Sequence, residues 1–333
     1  RPSYLLFKRI AIAFYGVTIL QSLIGIGRLA RGQATLYLST GGDRYVSGSA
    51  SVLIAIGLII SLILLLYVVR GKTNVLLVLT AATLQGIGVL ISFNRQTWLA
   101  MIIALTMGYV ILFGGRRVRI LAWAVALLIV IGAGLVTLDR FDIGPVTIQQ
   151  TLQSRLGAGL TFQEYLREPS MLYRISAWQK ALGDIRANPL VGQGWGARFI
   201  FVVPLASGMR VYEASPHNTY LWLAAKGGLP TLFFFGALMC VLLADGIRQF
   251  HRFRRRHPHH ALFLMGTILA QVIFLCGAFW WDYLTVMYLS IPFWLNCGMM
   301  AALSSARFRQ LLEQNSARPK SPERISTGAY ITP

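Results

Sequence analysis

Long apolar runs, separated by short polar turns, dominate the chain. A helix crossing a hydrocarbon core needs about 20 mostly apolar residues. Eight such runs are found, at 9–28, 48–69, 74–93, 96–113, 118–138, 218–244, 261–281 and 283–303. Gly16, Gly25 and Gly27 interrupt the first, which suits close packing against neighbouring helices. The longest break in the pattern is 139–216. Inside it Leu172, Ile175, Trp178, Leu182 and Ile185 recur at helical spacing, predicting an amphipathic helix over 171–187. Ser170 is its expected N-cap, and Asn188-Pro189 its stop. The expected fold is all-α, a polytopic transmembrane helical bundle. Five spans lie in 1–138, a helical loop domain in 139–216 and three spans in 217–303; a polar tail, 304–333, is expected to be disordered in the cytoplasm.

Composition supports this. Of 333 residues 56% are hydrophobic and 13% charged, with mean hydropathy +0.61. Soluble domains carry about 25% charged residues, so a soluble globular enzyme and a disordered chain are both excluded. Lys and Arg outnumber Asp and Glu by 31 to 11, for a net charge of +20. In a soluble protein such basicity would suggest nucleic acid. Here the basic residues stand in short runs between apolar ones, as expected where charge orients helices in a bilayer. Lys8 and Arg9, Arg70 and Lys72, Arg116, Arg117 and Arg119, the Arg248–Arg256 cluster, and Arg307 and Arg309 all fall on one side of eight crossings. That side is read as cytoplasmic. The other side receives 28–47, the corner at Trp281 and Asp282, and 139–216, which holds six of the eleven acidic residues. Cys240, Cys276 and Cys297 all lie in apolar stretches and form neither a disulfide framework nor a metal cluster pattern. The sequence opens at Arg1 without an initiator Met, and a further N-terminal portion is expected.

Candidate chemistry belongs to the outer side. Arg95, at the outer end of the fourth span, is either an interfacial anchor beside Trp98 or a functional cation. Arg174 lies one turn from Trp178, and taken alone it reads as a solvated arginine whose stem covers the indole. Val191-Gly192-Gln193-Gly194-Trp195-Gly196 has the wrong spacing for a dinucleotide fingerprint and reads as a turn that lets the chain approach the membrane. His217, in Ser215-Pro216-His217-Asn218-Thr219-Tyr220, is the one outer imidazole, since His251, His257, His259 and His260 share the basic cytoplasmic loop. It is either a proton acceptor or a helix-start residue. With Arg198 and Arg210 before it, the outer face suits an anionic ligand, phosphate above all. No HExxH, Walker A or outer Asp-x-Asp pair is present, which leaves a zinc hydrolase or nucleoside triphosphatase unsupported. His257-Pro258-His259-His260 could bind metal, but beside five arginines it reads better as a contact for anionic headgroups.

These residues, in this order, resemble the O-antigen ligase / O-antigen polymerase family of bacterial membrane glycosyltransferases. The resemblance rests on Arg95 with Trp98, Arg174 with Trp178, Asn188-Pro189-Leu190 with Gly192 and Gly194, His217-Asn218-Thr219-Tyr220-Leu221, and Gly227-Gly228-Leu229-Pro230. It covers about 75–245; Asn94 stands where the family usually has Ser. Members generally have more spans than are read here, so the resemblance implies others before Arg1. It further implies a bacterial inner-membrane protein with its active site facing the periplasm. The implied donor is a glycan on undecaprenyl diphosphate, and transfer to an acceptor hydroxyl proceeds with inversion and without metal or other cofactor. On this reading Arg95 and Arg174 bind the diphosphate and His217 takes the hydroxyl proton. Asn218, Arg210, Trp98 and Trp178 are candidate substrate-binding residues, Arg210 by its nearness to His217 rather than by a motif.

An O-antigen ligase transferring to lipid A–core is the preferred reading. A polymerase of lipid-linked repeats and a protein O-oligosaccharyltransferase share the chemistry and differ in acceptor. A small-anion transporter of bicarbonate type is more remote. Transporters place ionisable groups near the midplane in related repeats, and no Asp, Glu, Lys or Arg is expected deep in the spans.

Overall fold

The computed structural model describes residues 2–113 and 169–305, apart from 33–34, 38–41, 69–70, 93 and 206–207; beyond these it describes 308, 310 and 314. The expected span at 118–138, the first part of the loop domain and nearly all of the tail lie outside the described residues.

Eight α-helices are seen among the described residues: α1 (Pro2–Ala30), α2 (Gly48–Ile63, continued by a π-turn through Val68), α3 (Lys72–Leu90), α4 (Arg95–Phe113), α5 (Pro169–Ala187), α6 (Thr219–Arg256), α7 (Pro258–Gly277) and α8 (Met287–Ser304). The fold is all-α and polytopic. Five helices are long and apolar enough to cross a membrane: α1 from Arg9, α2 through Leu66, α3, α6 and α7; the apolar part of α4, Gln96–Ile111, is shorter. The amphipathic helix forms as expected but starts at Pro169, so Ser170 lies inside it and is not its cap. Proline suits the first helical turn, where its missing N–H costs nothing. Two hairpins escaped the helical reading: β1 (Thr35–Tyr37) with β2 (Gly42–Arg44), and β3 (Ile200–Leu205) with β4 (Gly208–Glu213), both antiparallel.

Shared polar groups join the spans. Tyr15 on α1, Ser61 on α2 and Gln85 on α3 form a chain: the Tyr15 and Ser61 hydroxyls are 2.7 Å apart, Ser61 donates to Gln85 Oε1 at 2.6 Å, and Gln85 Nε2 donates to Thr18 at 2.9 Å. A Cβ at Gly57 would collide with Thr18 and the Gln85 amide, so the helices meet there because that position has no side chain. α7 lies at the centre, packed against α2, α4, α6 and α8. Leu264, Met265, Ile268 and Ile273 are fully buried on it.

The helix expected at 218–244 is not one rod. Gly228 has φ 78° and ψ 171°, and Pro230 follows it. Fifteen residues of straight helix would hold Tyr220 and Phe235 about 22 Å apart, yet their ring centroids are 6.3 Å apart. The Thr219–Gly227 segment therefore folds back on the rest. Lys226, 1% exposed, sits just before the break, which corrects the expectation that the spans lack buried ionisable residues. Its ammonium donates to the Ala197 carbonyl and lies 4.7 Å from the Trp222 ring centroid. The break frees main-chain groups that the preceding loop then satisfies: Gln193 N–H donates to Ala225 O (2.8 Å), Gly194 N–H to Lys226 O (3.0 Å), and Leu229 N–H to Pro189 O (2.7 Å). The corner between α7 and α8 is longer than expected, because Thr285 and Val286 N–H close a turn on Asp282 O.

Above the bundle, α5 packs on β3 and on the start of α6. This second core is built from Ala177, Ala181, Phe199, Phe201, Val203 and Ala225.

Candidate active site

The site forms where the starts of α4 and α6, the face of α5 and the α7–α8 corner converge. This is the end of the bundle opposite the arginines closing α6.

His217 is held from both sides. After it, the Asn218 side-chain oxygen caps α6, accepting from the Tyr220 and Leu221 N–H groups at 3.0 Å each. Thr219 N–H donates to Ala278 O (2.8 Å) and its hydroxyl to Trp281 O (2.7 Å). Before it, Trp178 Nε1–H donates to Pro216 O at 3.0 Å. So fixed, His217 adopts φ 50°, a left-handed conformation that no other described non-glycine residue takes. Such a backbone costs about 1–3 kcal/mol and persists where its surroundings over-determine it. The imidazole lies between Tyr173 (5.3 Å between centroids) and Trp281 (5.8 Å). Burial, with the Arg174 charge as a second cause, depresses its pKa to about 4. At neutral pH it is an uncharged ring able to accept a proton.

Arg174 comes from α5. Its guanidinium carbon lies 5.6 Å from the Trp280 ring centroid. With the Gln96 amide oriented to match, the Gln96 oxygen accepts from Arg174 Nη1 and Nη2 at 3.3 and 3.0 Å. Gln96 follows Arg95 in the first turn of α4, so α4 and α5 meet at the residue beside Arg95. The backbone of Arg95 opens α4; its side chain lies outside the described residues. The turn that presents it is anchored by Asn94, whose amide donates to Gly48 O (3.2 Å) and Ser51 Oγ (3.1 Å) on α2. Trp98 pins α4 to α3 through Nε1–H to Val89 O at 3.0 Å.

Of the expected site residues, His217, Arg174 and Trp178 thus come together, with the α4 turn that carries Arg95 against them. Asn218 has its side-chain oxygen engaged in the helix cap. Arg210 stands exposed on β4 opposite Val203, and the charge acting on His217 is that of Arg174. Arg198 is engaged on the hairpin with Glu213, Nε to Oε1 at 2.6 Å.

Sequence reasoning missed Tyr173, Gln96, Trp280 and above all Asp282 as members of the site. Asp282 is 1% exposed, and neither carboxylate oxygen has a hydrogen-bond partner among the described residues. Burial raises its pKa to about 6, with Ser215 close enough to offset part of the cost. It acts in turn on Tyr173, whose phenol is pushed up to about 12, by burial first and the Asp282 charge second. An acid in a tight corner between two apolar runs was the available signal. A cavity of about 450 Å³ among Phe14, Tyr15, Ile60, His260, Thr267 and Asn296 is apolar and shares no residue with the site.

Residues 80–236 match the family model described as O-Antigen ligase. The matched stretch is similar to an O-antigen ligase domain. That stretch runs from α3 through α4, α5 and the second hairpin to the part of α6 just past its break, and so contains His217, Arg174 and the α4 turn. The match, with the apolar helices, supports a multi-pass membrane protein with a glycosyltransferase-like role on glycan and lipid substrates. No curated protein matches the chain. Two segments that carry the sequence resemblance now have a physical reading: Pro189–Gly194 and Gly227–Pro230 are the two halves of the clasp at the α6 break, where a Cβ on Gly228 would meet the Leu190 carbonyl.

Proposed function

We propose that the protein transfers a polysaccharide from undecaprenyl diphosphate to an acceptor hydroxyl at the periplasmic face of the inner membrane. The preferred acceptor is lipid A–core, as in an O-antigen ligase. The observation that carries this reading is the convergence of Arg174, the Arg95 turn and His217 on one aromatic-walled site. The acceptor oxygen attacks the anomeric carbon as the bond to the diphosphate oxygen breaks, which inverts the configuration. The leaving diphosphate gains negative charge, and Arg174 with Arg95 stabilises it in a partly desolvated place where such charges act strongly. The hydroxyl proton passes to His217. Empty of substrate, His217 is a weak base because it is buried beside a cation. A diphosphate on Arg174 cancels that charge and lifts the imidazole toward its ordinary value, so the base strengthens when the donor is bound. The 139–216 loop domain, on this reading periplasmic, holds the arginine, and the following spans hold the histidine. No metal takes part in the proposed reaction.

The test is transfer in vitro with purified protein, undecaprenyl-diphosphate glycan and, separately, lipid A–core, a second lipid-linked glycan and a peptide. Turnover on lipid A–core in the presence of chelator is expected. Turnover only on the second glycan would make the protein a polymerase, and only on the peptide an oligosaccharyltransferase. Loss of turnover on chelation would overturn the metal-free mechanism.

A further inference from the structure

Leu190 and Val191 are 72% and 74% exposed, and nearby Trp195 is 58% exposed. These are large apolar side chains on a segment of tight backbone, not on a flexible tip. Gly192 and Gly194 have φ 66° and 85°, and the turn is bonded to α6 through Gln193, Gly194 and Pro189. Its attachment point is the break at Gly228. On the far side of that break α6 presents Leu229, Phe233, Phe234, Leu238 and Val241 outward, the exposed apolar face of a membrane-crossing helix. The Leu190 backbone packs against Gly228, so the exposed Leu190 and Val191 side chains sit beside the start of the span's exposed apolar face.

We infer that the Pro189–Gly196 loop lies in the interfacial layer of the bilayer, with Leu190 and Val191 directed into lipid and Trp195 at headgroup level. Three observations support lipid as the occupant. The exposed residues are apolar, and they adjoin the exposed apolar face of a helix long and apolar enough to cross a membrane. A tryptophan closes the patch on the chain, as in the aromatic belts of membrane proteins. The loop's own polar groups are turned inward: Gln193 and Gly194 N–H and the Pro189 carbonyl are satisfied by α6, which is the condition for placing non-helical backbone at membrane depth. The consequence concerns α5, which ends at Ala187 immediately before the loop. Lipid contact there fixes the height of the helix that carries Arg174 and Trp178 above the bilayer. The inference concerns membrane placement alone and does not depend on the reaction proposed above.

The experiment uses the full chain with Cys240, Cys276 and Cys297 replaced by alanine, in phosphatidylethanolamine/phosphatidylglycerol nanodiscs. An environment-sensitive fluorophore is placed on Val191→Cys, with Phe233→Cys as lipid reference and Gln179→Cys on the exposed side of α5 as water reference. Nitroxide-bearing lipid, labelled near the headgroup end of its acyl chain, is expected to quench positions 191 and 233 to a similar extent. Aqueous iodide should quench 179 far more than 191. Iodide quenching at 191 equal to that at 179, without nitroxide quenching, would place the loop in water and overturn the inference. Protection at 191 from both quenchers would mean that protein covers the patch, and would overturn it as well.

Discussion

Asp282 offers a direct physical test of the site, because its burial has a measurable cost. A carboxyl moved from 3.8 to about 6 holds its proton more tightly in the fold by about 3 kcal/mol, at about 1.4 kcal/mol per pH unit. The sign follows from linkage. Between these two values the unfolded chain has lost the proton and the folded one retains it, so stability falls as pH rises. The whole contribution is present below pH 3.8 and gone above about pH 6. Asp282→Asn removes the titrating group and leaves the side-chain volume nearly unchanged. The amide brings a burial cost of its own, but one that does not vary with pH. The quantity to measure is therefore the slope, not the level: unfolding free energy of detergent-solubilised protein and variant at intervals from pH 4 to 8. The wild type should lose about 2.5 kcal/mol relative to the variant across that range, most of it between pH 4 and 6.5. Parallel curves would show that the ionised carboxylate is as well solvated in the fold as in water, and the account of an unpaired buried acid would be wrong.

Other outcomes follow from the same geometry. His217→Ala should abolish glycan transfer in the purified assay while leaving membrane insertion intact. His217→Gly should be equally inactive yet more stable than the alanine variant, by about 1–2 kcal/mol, because only glycine takes the left-handed backbone freely. Equal stabilities would deny the strain at φ 50°. Arg174→Gln should raise the pKa of His217, read from the titration of histidine-labelled protein, since Arg174's positive charge is one of the two causes of its depression. An unchanged midpoint would separate the two residues. Gly228→Ala should lower stability by at least 1 kcal/mol, having φ 78° and no room beside the Leu190 carbonyl, and should expose the Asn188–Gly196 loop to limited proteolysis. Unaltered proteolysis would show that the clasp holds without it.

How much of this was legible in the sequence depends on the range of the forces involved. Hydrophobic run length placed α1, α2, α3, α4 and α7 to within a few residues, because crossing a bilayer is a local requirement on one segment. The 3.6-residue period of Leu172, Trp178 and Ile185 located α5 for the same reason. The hairpin at 200–213 was missed, since its strands are stabilised by α5 and by each other rather than by their own pattern. The fold-back at Gly228 could be suspected from Gly-Gly-Leu-Pro, but its direction is set by a loop some thirty residues earlier in the chain.

The candidate site divides in the same way. His217 stood out as the one histidine away from the basic loop, and arginines near a membrane boundary are conspicuous wherever they occur. From the sequence alone came a membrane bundle, its basic side, and a short roster of outer cations with one imidazole. Tertiary structure alone decided that Gln96 would bind Arg174 and that Asp282 would lie buried near Tyr173. Those outcomes rest on side chains brought together from segments tens to more than a hundred residues apart, and no local pattern encodes a distance of that kind.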